Sequence, residues 1–415
     1  MARTDAIVLG GGIVGTCVAL HLAKRGMSVA LVERAGLGEQ TSFGNAGIIE
    51  GNTVFPPAFP SDWRALARIA LKRAGEANYQ LTFLPKIAPW LMAFRAASQP
   101  KQLIETAHLI RPLFGSAVAE HEALMREAGA THYLRKTGWL KVYRSEGSFA
   151  GLQREFDVAA EMGLPLQRLD MKGAQALEPS LNPVFRRAVF WPEAASVSNP
   201  YSLTRAYADR FAARGGVTVT GDARTLHRQG SGWRVETDQG GVDAPNVVVA
   251  LGPWAGDFMA QVGLRLPFAV KRGYHRHFTA KGNAALARPV LDADAGYLIT
   301  PMEMGIRMTT GVEFAPRDAE PTPVQFDRVM PRARELFPLD GRADDTTWMG
   351  CRPCFPDSRP VIGRAPGIGG IWLAIGHAHW GLTLGAATGR MIAEMMAGET
   401  PFVDPAPYRA ERFLS

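Results

Sequence analysis

The sequence predicts an α/β (α+β) fold in two parts: one domain with a parallel sheet and a β-meander, and a second with a mixed or antiparallel sheet. Three observations predict it. The apolar run Ala6–Leu9 opens into Gly10, Gly12 and Gly15, then a helical stretch to Arg25, then a second apolar run at Val29–Val32. Strand, turn, helix and strand in that order make a parallel unit. Short strands over 223–250 are divided by Gly-Ser-Gly and Gln-Gly-Gly turns, the pattern of a meander. Residues 297–301 and 307–314 read as antiparallel strands of a separate sheet.

Composition bounds the rest. The 415 residues, 47% hydrophobic and 20% charged, are globular and allow two to three domains at about 150 residues each. The net charge of +7 raises nucleic acid, an anionic membrane surface or an acidic small molecule as partners. The basic residues form no aromatic-interleaved stripe, so no nucleic-acid role is expected. Cys17, Cys351 and Cys354 cannot form a disulfide framework, and the Cys-Arg-Pro-Cys run lacks a second pair for zinc, so no metal is expected. No stretch reaches the roughly eighteen apolar residues of a membrane span. Residues Met1–Asp5 lead directly into an apolar strand and leave no room for a signal-peptide core, so the expected location is cytoplasmic.

In the first unit each residue has a task. Gly10 makes the tight turn, Gly12 lets backbone approach a pyrophosphate, and Gly15 lets helix and strand pack closely. Ile13 and Val14 bring unpaired N–H groups at the helix start, and Glu33, closing the second strand, can accept from a ribose diol. This selects FAD or NAD over a phosphorylated ribose. The loop Thr41-Ser42-Phe43-Gly44-Asn45-Ala46-Gly47 offers hydroxyl, amide and glycine groups to a pyrophosphate and a flat ring system.

Downstream, Ser61 is the expected N-cap of a helix over Trp63–Arg73 that carries Arg64, Arg68 and Lys72 on one face. Two readings stand for the 61–73 helix: a peripheral contact with anionic lipid, or a solvated face. A longer helix follows over Thr106–Ala128, and His132–Tyr143, with Gly138 inside, reads as a strand pair. The strand Val247–Ala250 opens into Leu251-Gly252-Pro253-Trp254. Tyr274 ends the run Phe268-Ala-Val-Lys-Arg-Gly-Tyr, and Tyr297 and Arg307 sit on strands where either a ligand or sheet packing could claim them. Near the C-terminus, Gly350-Cys-Arg352-Pro and Asp357-Ser-Arg-Pro-Val-Ile-Gly363 precede the strand Ile371–Ile375. Gly376-His377-Ala378-His379-Trp380-Gly381-Leu382-Thr383 then leads into a last helix. Glycines at such a junction permit close backbone approach, and the helix start attracts an anionic group.

The Gly10–Gly15 fingerprint, Glu33-Arg34 and Thr41–Gly47 together resemble the D-amino-acid dehydrogenase branch of the FAD-dependent D-amino-acid oxidase superfamily. The likeness continues through Phe59-Pro-Ser-Asp-Trp63 and returns at Gly350–Gly385, so it spans most of the chain. It implies a Rossmann-like FAD-binding domain and a substrate domain. It places Gly10, Gly12, Ile13, Val14, Gly15, Glu33, Arg34, Thr41, Ser42, Asn45, Ala46 and Gly47 on the cofactor. Gly252 and Trp254 join them in a turn similar to an Ala-Thr-Gly motif in which Leu251 replaces Thr. Gly376, Gly381, Leu382 and Thr383 lie beside the flavin. The resemblance sets Arg352 on the substrate carboxylate, His379 as a second polar contact, and Tyr274, Tyr297 and Arg307 as further candidates in the substrate domain. FAD is expected to be non-covalent, because the spacing of Cys351 to Asp357 departs from the covalent sarcosine-oxidase pattern.

The implied chemistry is hydride loss from an amino acid with a neutral amine, giving an imino acid that water hydrolyses to a 2-oxo acid and ammonia; a cyclic imine can persist. No dedicated base is expected. The expected substrate is a D-amino acid, with D-proline or D-hydroxyproline types included. Two alternatives remain: a glycine, sarcosine or other N-methyl amino-acid oxidase releasing peroxide, and a non-catalytic flavin-binding subunit. The electron acceptor, quinone or other, is open. The FAD domain is expected over 1–52, 193–262 and 348–415, and the substrate domain over 53–192 and 263–347, with a helical insert at about 61–128.

Overall fold

The computed structural model describes residues 2–52 and 54–414. Met1 and the expected domain limits at 1, 53 and 415 lie outside the described residues. In chain order the elements that build the site begin with β1 (Ala6–Leu9), α1 (Ile13–Lys24), β2 (Val29–Glu33), β3 (Ile48–Ile49), α2 (Trp63–Ala70), α3 (Leu84–Ala97) and α4 (Pro100–Glu127). They continue with β4 (Trp139–Tyr143), β5 (Val217–Thr220), β6 (Asn246–Val249), β7 (Ala269–Ala280), β8 (Val290–Asp292), β9 (Tyr297–Met302) and β10 (Gly305–Thr310). β11 (Trp348–Cys354), β12 (Val361–Arg364), β13 (Ile371–Ile375) and α5 (Gly381–Ala397) close the set.

A six-stranded sheet runs β5-β2-β1-β6-β13-β12. It is parallel except for the antiparallel edge pair β13 and β12. Its strands are apolar on both faces because both faces are covered. Ala6, Val8 and Leu31 face a helical layer with Cys17, Leu20 and Met391. Ile7, Leu9, Ala30 and Val32 face Trp233, Val235 and Val242 of the meander, whose strands are His227–Gln229, Gly232–Thr237 and Gly240–Ala244. Each buried Val, Leu, Ile or Met side chain among them contributes about 1.5–3 kcal/mol. α1 and α5 pack so closely that a Cβ at Gly389 would lie 2.6 Å from the carbonyl of Cys17.

The second large sheet is mixed, with eleven strands. β7 organises it: residues 269–275 pair with β11, while 275–278 pair with β10. β10 pairs with β9, β9 with β8, and β8 runs parallel to β4. β11 therefore belongs to this sheet, although residues 348–354 fall in the stretch expected for the FAD domain.

Three local expectations change. The cap of α2 is Asp62, whose carboxylate accepts from the Arg64 N–H at 3.0 Å, rather than Ser61. α2 stops at Ala70, and Lys72 lies beyond it at a left-handed φ of 56°, so the basic face does not continue to Arg73 as helix. Residues 132–143 do not form a strand pair. Leu134–Arg135 pairs with Ala195–Val197 in a three-stranded sheet, and β4 pairs with Arg187–Trp191 and β8. Gly138, at φ 67°, turns the chain from one sheet to the other.

Candidate active site

A cavity of about 530 Å³ runs from the carboxyl ends of the parallel strands to the face of the mixed sheet. At its first end, β1 delivers the chain into Gly10, whose φ is 105° and whose Cβ would meet the Ala250 carbonyl oxygen at 2.5 Å. Only glycine fits that turn. Gly15 does not line the cavity; it packs on the Gly10 carbonyl, where a Cβ would come within 1.9 Å. Gly10, Gly12, Ile13 and Val14 form the wall. The Ile13 N–H donates to Ser42 Oγ at 2.9 Å, fastening the 41–47 loop to the start of α1. Glu33 Oε2 accepts from the Gly11 N–H at 2.6 Å, which holds that carboxylate at the glycine turn.

Arg34 and Trp254 also line this end, with the Arg34 guanidinium 5.5 Å from the indole centroid and Arg317 at 5.7 Å. Gly252, at φ 53°, makes the turn that presents Trp254. Asp222, Arg224, Asp257 and Asp318 complete this charged rim, and their long-range positions left no signal in the sequence.

Thr41, Ser42, Asn45 and Ala46 continue the wall. Asn45 Nδ2 donates to the His379 carbonyl at 3.3 Å, joining the loop to the C-terminal turn. Gly47 lies behind the wall at φ 78°, where a Cβ would meet the Val197 carbonyl oxygen at 2.5 Å. Gly376, Gly381 and Leu382 line the opposite side. Thr383 does not: its hydroxyl donates to the Ile48 carbonyl at 3.0 Å and accepts from the Glu50 N–H at 3.3 Å, so it ties α5 to the chain after β3. His377 bonds Thr388 through Nε2 at 3.0 Å, a packed residue.

At the second end, the mixed sheet presents Leu298, Thr309, Trp348 and Arg352. Directly paired residues share a sheet face, and Arg352 opposite Lys271, Gly273 opposite Gly350, and Trp348 opposite His275 define the cavity face. Arg352 lies across Gly273 and donates to the carbonyls of Gly311 and Thr310 at 3.1 and 3.3 Å. Among the described residues no carboxylate stands within ion-pair distance of it. His379 lines the wall with 38% of its side chain accessible, and its Nε2 is 3.9 Å from Glu50 Oε1. Burial, with Arg352, Lys271 and Lys141 nearby, pushes its pKa down to about 3. It is a neutral ring at neutral pH.

Three expected substrate contacts stand elsewhere. Tyr297 is on the opposite sheet face, where its hydroxyl donates to Asp292 at 3.1 Å. Tyr274 borders the cavity, but its hydroxyl bonds Arg272 and Glu313 in a buried cluster on the far face. Arg307 is fully buried outside the cavity wall. Its Nη1 donates to the Phe43 and Asn45 carbonyls at 3.1 and 2.5 Å, and its Nε to His277 Nε2 at 3.0 Å. Arg307 holds the 41–47 loop. Glu50, Leu298, Thr309 and Trp348, which do line the site, went unread in the sequence. Strict alternation with Arg352 on β11 is the one signal that could have found Trp348.

The glycine turn, the fixed Glu33 and the start of α1 suit a dinucleotide, and the wall from Asn45 to Leu382 suits a flat ring.

Comparison with known proteins agrees. The family model for FAD dependent oxidoreductases (DAO) matches residues 5–395. A D-amino-acid oxidase of Bradyrhizobium diazoefficiens is 28% identical over 415 residues, covering 98% of each chain. A D-amino acid dehydrogenase of Paramagnetospirillum magneticum is 30% identical over 427 residues, covering 99% of each. The crystal structure of glycine oxidase from Geobacillus kaustophilus superposes with a TM-score of 0.76 at 24% identity over 99% of both chains, a likeness of fold.

Proposed function

From the premise that this chain belongs to the FAD-dependent oxidoreductase family DAO, we propose that it oxidises a D-amino acid at the Cα–N bond, holding FAD non-covalently. One observation carries the substrate reading: a guanidinium, Arg352, lines the cavity with backbone carbonyls as its partners and no carboxylate. A desolvated cation lacking an acid is stabilised by an anionic ligand, and the planar fork matches a carboxylate with two parallel bonds.

Bound in the cavity, FAD supplies the hydride acceptor. Glu33 would hold the ribose, the start of α1 and Ser42 the pyrophosphate, and Asn45, Ala46, Gly376, Gly381 and Leu382 would border the ring. Arg352 orients the substrate carboxylate, Leu298 and Ile48 offer it apolar walls, and His379 offers a hydrogen-bond acceptor. These residues bind, orient and exclude water, which is most of what such a reaction asks of a protein. Cys351 pairs with Arg272, on the face away from Arg352, which supports non-covalent attachment. The two large sheets support a division into two domains, apart from residues 348–354, which pair with the mixed sheet, and FAD would lie in the cavity between them.

For partners, no helix among the described residues is long and apolar enough to cross a membrane. We propose instead a peripheral contact with anionic lipid through α2 and its neighbours. Trp63, Leu71, Leu81 and Met92 are 71%, 63%, 64% and 67% exposed, in a stretch of chain that also carries Arg64, Lys72, Arg73, Lys86 and Arg95.

The test is an anaerobic screen of the purified yellow protein against D- and L-amino acids, proline analogues included. Bleaching by D-amino acids supports the reading; a flavin that none bleaches overturns it. Dye reduction measured against peroxide release then distinguishes a dehydrogenase from a glycine- or N-methyl-type oxidase.

A further inference from the structure

Resting on that reading, we propose that Glu50 receives the substrate's ammonium proton, leaving the neutral amine that oxidation of the Cα–N bond requires. An amino acid arrives at neutral pH as a zwitterion. Arg352 answers its carboxylate, and the ammonium needs an acceptor within the same end of the cavity.

Five acidic residues line the cavity: Glu33, Glu50, Asp222, Asp257 and Asp318. Glu33 is held at the glycine turn by the Gly11 N–H. Asp222 pairs with Arg224, and Asp257 and Asp318 pair with Arg317, all at the Trp254 end. Glu50 is the acid at the Arg352 end, 3.9 Å from His379.

The surroundings of Glu50 are built. Its backbone is fixed by Thr383. Lys141 shares the cavity face of the sheet, in one row with Leu291, Leu298 and Thr309, and its Nζ is 3.7 Å from Glu155 Oε1. Burial opposes the charge on Lys141, but the acids Glu155 and Glu50 outweigh it and keep the ammonium protonated. Lys141 is thus the positive neighbour of Glu50 on this face.

In the step itself, the N–H bond of the ammonium breaks, the proton passes to a Glu50 carboxylate oxygen, and the electron pair stays on nitrogen. The neutral amine is then ready for loss of the Cα hydride, for which bound FAD would supply the acceptor, and the proton on Glu50 returns to solvent.

The test is the rate of anaerobic flavin bleaching from pH 6 to 10 in the wild-type holoenzyme and in the Glu50→Gln and Glu50→Asp variants. The amino acid used is the one that bleaches the wild type fastest. Glu50→Gln should retain flavin and melt as the wild type does, yet react roughly 100-fold more slowly at pH 7. The deficit should close as pH passes the substrate amine's own pKa, where free amine arrives unaided. Glu50→Asp should keep the wild-type profile with a smaller loss. A Glu50→Gln profile parallel to the wild type, or a loss that does not vary with pH, overturns the proposal while leaving the function intact. A wild-type flavin that no amino acid bleaches overturns both.

Discussion

The guanidinium of Arg352 lies across Gly273 so closely that a Cβ there would come within 2.4 Å of Nη2. The glycine makes room for the cation, and the carbonyls of Thr310 and Gly311 hold it flat. Arg352→Lys should therefore keep FAD and raise the substrate KM. The loss of one charge-assisted bond, about 1.5–3 kcal/mol, corresponds to roughly 10- to 150-fold. Gly273→Ala should raise KM in the same direction by displacing the fork. Steady-state kinetics with flavin content measured in parallel decides it; unchanged KM in both variants removes Arg352 from the substrate site.

Arg307 calls for a different outcome. Its bonds to the Phe43 and Asn45 carbonyls fasten the loop that lines the cofactor cavity. Arg307→Met, which keeps the stem and loses the donors, should weaken flavin retention by about tenfold or more, at about 1–3 kcal/mol for orphaned carbonyls. KM should change little in protein reconstituted with excess FAD. Dilution assays of flavin fluorescence measure the first, and a KM that rises with flavin binding unaffected contradicts the assignment.

Acid should destabilise this protein early. Burial pushes the pKa values of His21, His121, His275 and His377 down to about 3, 4, 2 and 3. Folded values below the unfolded value of about 6.5 mean that the unfolded chain binds more protons, so stability is present above that pH and is lost as pH falls toward the folded values. Each contributes about 1.4 kcal/mol per pH unit in that window. Thermal melts of the holoenzyme should show Tm falling steadily from pH 6.5 to 4.5, and a Tm flat over that range would refute it.

The exposed apolar residues of α2 and the segment after it, Trp63, Leu71, Leu81 and Met92, predict co-sedimentation with vesicles containing anionic lipid and much weaker binding to neutral ones. A Trp63→Ser, Leu71→Ser double variant should lose the binding without changing dye-linked turnover. Equal sedimentation of wild type and variant would mean that this surface does not meet lipid.

What the sequence disclosed and what it hid divide along a physical line. Gly10, Gly15 and Glu33 are legible because their tasks are local, set within one strand–turn–helix–strand unit. The place of Arg352 and Leu382 on the cavity wall is legible through motif resemblance. Tyr297 misleads because which strand face meets the cavity is a matter of register with distant partners, and a shift of one residue reverses it. Tyr297 sits one position off the cavity face that carries Leu298. Arg307 is on the cavity side but beneath the 41–47 loop, a contact over more than 250 residues of chain. Glu50 is missed for a similar reason: its position depends on Thr383, far along the sequence.

The pairing of β6 with both β1 and β13, and the fit of Gly389 on α1, also bear on how the protein is made. The first and last helices meet only after residues 371–389 exist, so the cofactor wall cannot close on a partial chain. Such long-range parallel pairing slows folding. The wall that Gly376, Gly381 and Leu382 give the cavity thus comes from the far end of the sequence, opposite a glycine turn made by its first fifteen residues.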